Sequence, residues 1–257
     1  MNVRVIRLWA YSISSYSALV ALGIFSGLVY VAWLARIRGL GWMQVLDGAL
    51  WSLAFGLSGA RLAYVLLNPA DYVTYPPAIL TRWGGGLDYQ GGLLAGLVGL
   101  WVFARRARLP FLQLLDLATP GVALAQAFAW VGAPLQGVYY GVALRFPLSQ
   151  WLPDLHGVYG PRFPTQLLAL LMSVCLLANL HRFRSSRLRQ GTLGLSYLLV
   201  SSGGFFALEF ALGDDAIHLG LLRFTQWVEL AELAAAATLL WLLWRPRTTH
   251  DTSKRVG

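Results

Sequence analysis

The chain is poor in charge and almost without cysteine. Charged residues make up 12% of its 257 positions, against about 25% in a soluble domain. Hydrophobic residues make up 57%, and the mean hydropathy is +0.59. Such a composition cannot cover a core with a solvated shell, and it identifies an integral membrane protein. The one cysteine, Cys175, lies in an apolar run. A lone cysteine excludes an internal disulfide, leaves the redox compartment unread, and reads as a small core residue. Histidine is scarce as well. His156, His181, His218 and His250 have no ligand partner at helical spacing, so neither a metal site nor another cofactor is expected. His181 falls in a basic loop and His250 in the tail, where both are expected to be solvated. His156 and His218 fall in loops where a base would be useful. There is no Gly-x-Ser-x-Gly elbow and no P-loop. Internal repeats are also absent. A net charge of +9 would suggest nucleic acid in a soluble chain. Here the cations sit in short loops between apolar runs, so no nucleic-acid partner is expected.

What is present is a succession of apolar runs, near 16–35, 45–67, 91–104, 112–134, 164–181, 191–212 and 224–244. A span needs about 20 apolar residues, so the pattern predicts an all-α fold of seven transmembrane helices. The prediction is one transmembrane domain over 1–244, followed by a polar, disordered tail over 245–257. No small-residue cleavage site follows a short apolar stretch near the start, which argues against a cleaved signal peptide. Thirteen of the 20 Lys and Arg residues fall on one side of this alternation and six on the other, with Arg61 inside a span. The richer side carries Arg36, Arg38, Arg105, Arg106, Arg108 and the basic stretch 182–189. Positive loops face the cytoplasm. The N-terminus is therefore expected outside and the C-terminus inside, in a multi-pass protein of a bacterial plasma membrane. Two long loops, 68–90 and 135–163, then face outward.

The most suggestive stretch is Gly84-Gly85-Gly86-Leu87-Asp88-Tyr89-Gln90-Gly91-Gly92. Glycine lets another group approach the backbone, and irregular backbone at membrane depth is tolerated where it lines a cavity. The stretch reads either as a turn before a helix or as the wall of a site. Within spans, Arg61 is the most informative residue. A buried cation there costs about 2.5–3.5 kcal/mol on insertion scales, so it wants a phosphate or a carboxylate, with Glu209 a candidate. Snorkelling to the outer interface is the plainer alternative. Tyr64 lies one turn from Arg61 and shares its face. Glu229 and Glu232 share a face at the start of the seventh run and are expected to touch water at the interface. Gln126, Gln166 and Gln226 either line a cavity or join helix to helix.

Taken in order, these pieces resemble the bacterial prolipoprotein diacylglyceryl transferase family. The resemblance is carried by Trp33-Leu34-Ala35, by Gly59-Ala60-Arg61-Leu62-Ala63-Tyr64-Val65, and by Trp83 with Gly85 to Leu93. It continues in Phe103-Ala104-Arg105-Arg106, in Gly132, Gln136-Gly137 and Tyr140-Gly141, in Pro164-Thr165-Gln166-Leu167, and in Glu209-Phe210 with Asp215-Ala216. It implies a seven-span inner-membrane fold. It also implies an activity that moves diacylglyceryl from phosphatidylglycerol to the thiol of a lipobox cysteine, releasing glycerol phosphate. Such a reaction needs help in deprotonating the thiol and cations to hold the leaving phosphate.

The departures fall at the implied site. The family has His where this chain has Gln90, and Arg where it has Trp130, Phe205 and Leu212. It has Asn at Ala133, Glu at Val138 and Ala169, Tyr at Ser201 and His at Phe163. Two readings follow. In the first, the chain keeps a phospholipid cavity walled by Arg61, Tyr64, Gln90, Gly91, Gly92, Gln136, Gln166 and Glu209, holds an anionic phospholipid, and acts as a lipid-binding or accessory subunit without transferase activity. In the second it is an active transferase with substituted residues, and its partners include a prolipoprotein. A small-solute transporter fits less well, because paired broken helices in corresponding halves are missing.

Overall fold

A computed structural model describes residues 5–8, 11–73, 76–81, 86–145, 147, 149–154, 156–184 and 188–246. The expected tail from 247 onward, His250, and Trp83, Gly84 and Gly85 of the glycine-rich stretch lie outside the described residues.

In chain order the elements are β1 (Val5–Leu8), β2 (Tyr11–Ser14), α1 (Ser15–Ile37), α2 (Trp42–Leu67), α3 (Ala70–Val73), α4 (Ala78–Thr81), α5 (Tyr89–Ala107), α6 (Phe111–Gln136), β3 (Gln150–Pro153), β4 (Tyr159–Arg162), α7 (Thr165–Arg182), α8 (Thr192–Glu209), β5 (His218–Leu219), β6 (Leu222–Arg223) and α9 (Phe224–Trp244). The seven long helices coincide with the seven apolar runs. Five of them (α1, α2, α6, α7 and α9) are long and apolar enough to cross a membrane. The other two, α5 and α8, are diluted by Gly91, Gly92, Gly96 and Gly99 and by Ser201, Ser202, Gly203 and Gly204. The strands form three two-stranded antiparallel ribbons in the connections.

Helix α6 is the centre of the bundle. Of its most apolar 18 residues 56% are buried, against 28% or less in the other four membrane-length helices. It packs on α1 and α7, while α2 pairs with α5 and α8 with α9. Leu34, Leu100, Leu114, Leu117 and Leu195 make one core cluster, and Ala123, Leu176, Leu193, Tyr197 and Ala236 make a second. Small residues set the α2–α5 seam. A Cβ on Gly59 would lie 2.8 Å from the Gly91 carbonyl, and one on Gly56 3.2 Å from the Gly92 carbonyl. This is close backbone packing of the kind that drives helix association where lipid removes the hydrophobic contrast. The glycines of the suggestive stretch thus serve first as a helix contact.

Successive long helices reverse direction, so polar ties gather at two ends. At one end Tyr30 Oη and His181 Nδ1 are 2.5 Å apart and the His181 ring stacks on Trp33; His181 is half-buried and helical, not solvated in a loop. At the same end Asp116 accepts from the Gly191 and Gly194 N–H groups, both at 2.7 Å. The other end holds the connections 68–88, 137–164 and 210–223. There the β3–β4 ribbon organises the second long loop around Asp154, which accepts from the backbone of His156 and Val158 and from Arg162. The Val158 N–H, then the His156 N–H and the Arg162 guanidinium, hold its carboxyl below the ordinary value. Cys175 is exposed on the bundle surface, not in the core.

Candidate functional site

Arg61 is 5% exposed on α2. Its Nε donates to the Ile79 carbonyl at 3.0 Å, Nη1 to Gly86 at 3.1 Å and Nη2 to Ala78 at 3.1 Å. The guanidinium also lies 5.3 Å from the Tyr72 ring centre and 6.0 Å from that of Tyr64. Gly86 sits at φ +97°, and a Cβ there would come 2.5 Å from the Tyr64 ring and 2.9 Å from Arg61 Nη1. Glycine is therefore required at 86 on both counts. Arg61 and Tyr64 do face one region, as their spacing predicts. What they meet is the connection 76–86, whose carbonyls satisfy the cation. Glu209 is not the partner of Arg61. It lies 3.6 Å from Arg223.

Gln90 enters at the start of α5. Asp88 caps this helix, its side chain accepting from the Gly91 N–H at 2.7 Å, and its own N–H holds the Ala60 carbonyl at 3.0 Å. The next turn carries Gln90 into the bundle, 7% exposed. Its amide donates to Glu229 Oε1 at 3.1 Å. Glu229 is only 2% exposed, which corrects the expectation of a wetted face. One turn along α9, Glu232 accepts from Ser202 at 3.0 Å. Gln126 ties three helices to α6, donating to Tyr89 Oη at 3.1 Å and accepting from Tyr197 at 3.2 Å and Ser173 at 3.3 Å. Beside this network Phe205 stacks on Trp130 with centroids 5.7 Å apart. Tyr89 meets Phe205 edge-on at 6.2 Å, and Tyr139 meets Trp130 at 5.3 Å.

The remaining expected residues lie around this centre without joining it. Gln166 is buried and donates to the Val138 carbonyl at 2.6 Å. Gln136 accepts from Ser14 at 3.3 Å. Gln226 accepts from the Arg223 N–H at 2.9 Å and donates to the Phe206 carbonyl at 3.3 Å. Gln166 and Gln226, like Gln126, join elements, one of the two roles open to them. Arg223 is 8% exposed and donates to Asp214 Oδ1 at 2.7 Å and to the Leu212 carbonyl at 2.8 Å. It is a cation that closes the α8–α9 connection.

With this geometry in place, the whole sequence can be set beside known proteins. A profile of the prolipoprotein diacylglyceryl transferase family matches residues 4–242. The chain belongs to this family. A phosphatidylglycerol–prolipoprotein diacylglyceryl transferase of Nostoc sp. is 31% identical over 249 residues, covering 92% of this chain and 87% of its own length. One from Nitratidesulfovibrio vulgaris is 33% identical over 248 residues, with 90% and 89% covered. One from Streptococcus agalactiae is 30% identical over 265 residues, with 97% and 98% covered.

Against the pattern that the family resemblance implies, this member differs at its centre. The position implied to carry histidine carries Gln90, paired to a buried glutamate. Two positions implied to carry arginine carry Trp130 and Phe205, stacked on each other. All three glutamates of the chain, Glu209, Glu229 and Glu232, stand on α8 and α9 around this region. Among the described residues no group of three or more His, Cys, Asp or Glu side chains is placed to hold a metal ion. Two buried pairings escaped the sequence. Gln90 and Glu229 are 139 positions apart, and nothing local pairs them. Asp116 had a signal, a carboxylate in an apolar run, since such a group needs a donor set.

Proposed function

We propose that this chain is a phospholipid-binding member of the family that does not perform diacylglyceryl transfer. We place it in the bacterial plasma membrane as a single seven-span domain over 1–244, with its N-terminus outside and its polar tail in the cytoplasm. One observation carries the reading: the side chain at the implied histidine position is an amide that donates to a buried carboxylate. An amide does not take up a proton near neutral pH, so Gln90 cannot assist thiol deprotonation. The same reading is supported by the Trp130–Phe205 stack, which sets two apolar rings where cations would stabilise a leaving phosphate. Removing one group that stabilises developing negative charge costs about 10²–10³ in rate, and here several are replaced together.

A second reading is favoured by the near-complete coverage of relatives named as transferases. In it the chain acts on phosphatidylglycerol and a prolipoprotein, with Glu229 as the base. One assay separates the two. Purified protein in phosphatidylglycerol vesicles is given a lipobox peptide, and the thioether product is followed by mass spectrometry. No product above a protein-free control is the expected result. Product formation that Glu229→Gln abolishes establishes the transferase instead.

A further inference from the structure

Glu229 and Glu232 stand one turn apart on α9. Among the described residues, no Lys, Arg or His side chain makes an ion pair with either. Each uses one oxygen, Glu229 toward Gln90 and Glu232 toward Ser202, and each leaves the other oxygen buried without a hydrogen-bond partner. Gln90 is only 7% exposed, its amide nitrogen donates to Glu229, and its Oε1 is likewise buried without a partner. Three side chains from α5 and α9 thus present acceptors that lack donors. Buried acceptors left without a partner cost about 1–3 kcal/mol each, and an unbalanced pair of carboxylates costs more.

The surroundings narrow the donor. Phe205 is one turn from Ser202 on α8, so the aromatic stack of Trp130, Phe205 and Tyr89 borders the same region. Aromatic faces attract cations. The buried Trp130 Nε1–H is a donor that also lacks a partner. Depth fits a headgroup. Gln90 is the second residue of α5 and Glu229 the sixth of α9, which places both within about two turns of the helix ends.

We infer that Gln90, Glu229 and Glu232, bordered by the Trp130–Phe205 stack, bind a primary ammonium group, the headgroup of an aminophospholipid or a free amine. The inference deepens the lipid-binding reading above and rests on it. It reverses the sign expected of the ligand, because the acceptors are acidic and amide oxygens and the nearby cations are engaged: Arg61 with carbonyls, Arg223 with Asp214. An ammonium offers three N–H donors to three acceptors. A quaternary ammonium has the charge without the donors, and a phosphatidylglycerol headgroup has hydroxyl donors without the positive charge that two carboxylates call for.

The test uses full-length protein and native mass spectrometry after reconstitution in nanodiscs with equal phosphatidylethanolamine, phosphatidylcholine and phosphatidylglycerol. Retention of phosphatidylethanolamine by about tenfold over the other two is expected, the discrimination of one or two charge-assisted bonds. It should fall to parity in Glu229→Gln and in Glu232→Gln and persist in Asp47→Asn, a change at an exposed carboxylate of α2. In a second arm, delipidated protein is heated with free ethanolamine. A rise in Tm seen with wild type but not with Glu229→Gln identifies a soluble amine as sufficient. Preferential retention of phosphatidylglycerol overturns the ammonium site and leaves lipid binding standing. Equal retention of all three lipids with no shift by ethanolamine also overturns it. A shift produced equally by sodium chloride at the same concentration assigns the acceptors to an inorganic cation and overturns it too. Absence of any retained lipid removes the lipid-binding reading, and the ethanolamine arm still decides the amine. If both variants fail to fold, the wild-type lipid preference alone decides.

Discussion

At the scale of single residues, Arg61 and Gln90 show how far a side chain's role depends on what the chain folds against it. Arg61 was legible as a cation that needs acceptors inside a span. That the acceptors are carbonyls of 78, 79 and 86 was not, because a carbonyl has no identity in sequence. The consequence is measurable. Arg61→Ala removes three hydrogen bonds to carbonyls and is expected to cost about 3 kcal/mol, read as a fall in Tm in detergent. Arg61→Lys should recover less than half, since an ammonium cannot span the three acceptors as the planar fork does. Wild-type Tm in Arg61→Ala, together with loss of bound lipid, would instead make Arg61 a ligand contact. Arg223 is no neutral control for this test, because it too is buried and holds Asp214 and the Leu212 carbonyl. Gln90 is the opposite case. Its position in a motif was legible, and its partner was not, since Glu229 enters from a helix far along the chain.

At the scale of elements, the seven long helices were legible because apolar length is a one-dimensional property. The helix after the glycine stretch was legible as well, and it starts at Tyr89 with Asp88 as its cap, two residues ahead of the apolar run. The ribbons in the connections were not, for their strands are two to four residues long and carry no alternating pattern. The reason for the glycines was read only in part. Gly91 and Gly92 face Gly59 and Gly56, so the pairs are what the α2–α5 seam requires. Gly59→Ala is expected to destabilise by about 1–3 kcal/mol, the usual cost of forcing added volume into a packed contact, because its Cβ would overlap the Ala95 Cβ and lie 2.8 Å from the Gly91 carbonyl. Gly160→Ala is the matched control. Nothing lies within 4 Å of the added Cβ, so a change within about 0.5 kcal/mol is expected. Thermal unfolding of the two variants side by side checks the pair, and equal stability would show that the seam has room to relax.

At the scale of the whole molecule, the ties at the two ends of the bundle restrict topology more tightly than charge alone. Tyr30 meets His181, Asp116 holds the Gly191 and Gly194 N–H groups, and Arg189 donates to the Leu243 carbonyl, all at one end. Ser14 meets Gln136, Gln90 meets Glu229, and Gly141 bridges to Leu212 at the other. A span that failed to cross would separate partners that touch, so α5 and α8 should cross although they are the least apolar of the seven. Their glycines and serines face other helices, and the apolar cost is borne by neighbours. The end with the Arg-rich connections also carries Arg36, Arg105, Arg106 and Arg108, which the positive-inside rule sends to the cytoplasm. Alkaline phosphatase fused after residue 145 should therefore be active, and after residues 108 or 257 inactive, with a fluorescent protein at those two sites reporting the reverse. Activity at 257 with inactivity at 108 would show that one of the helices between them does not cross.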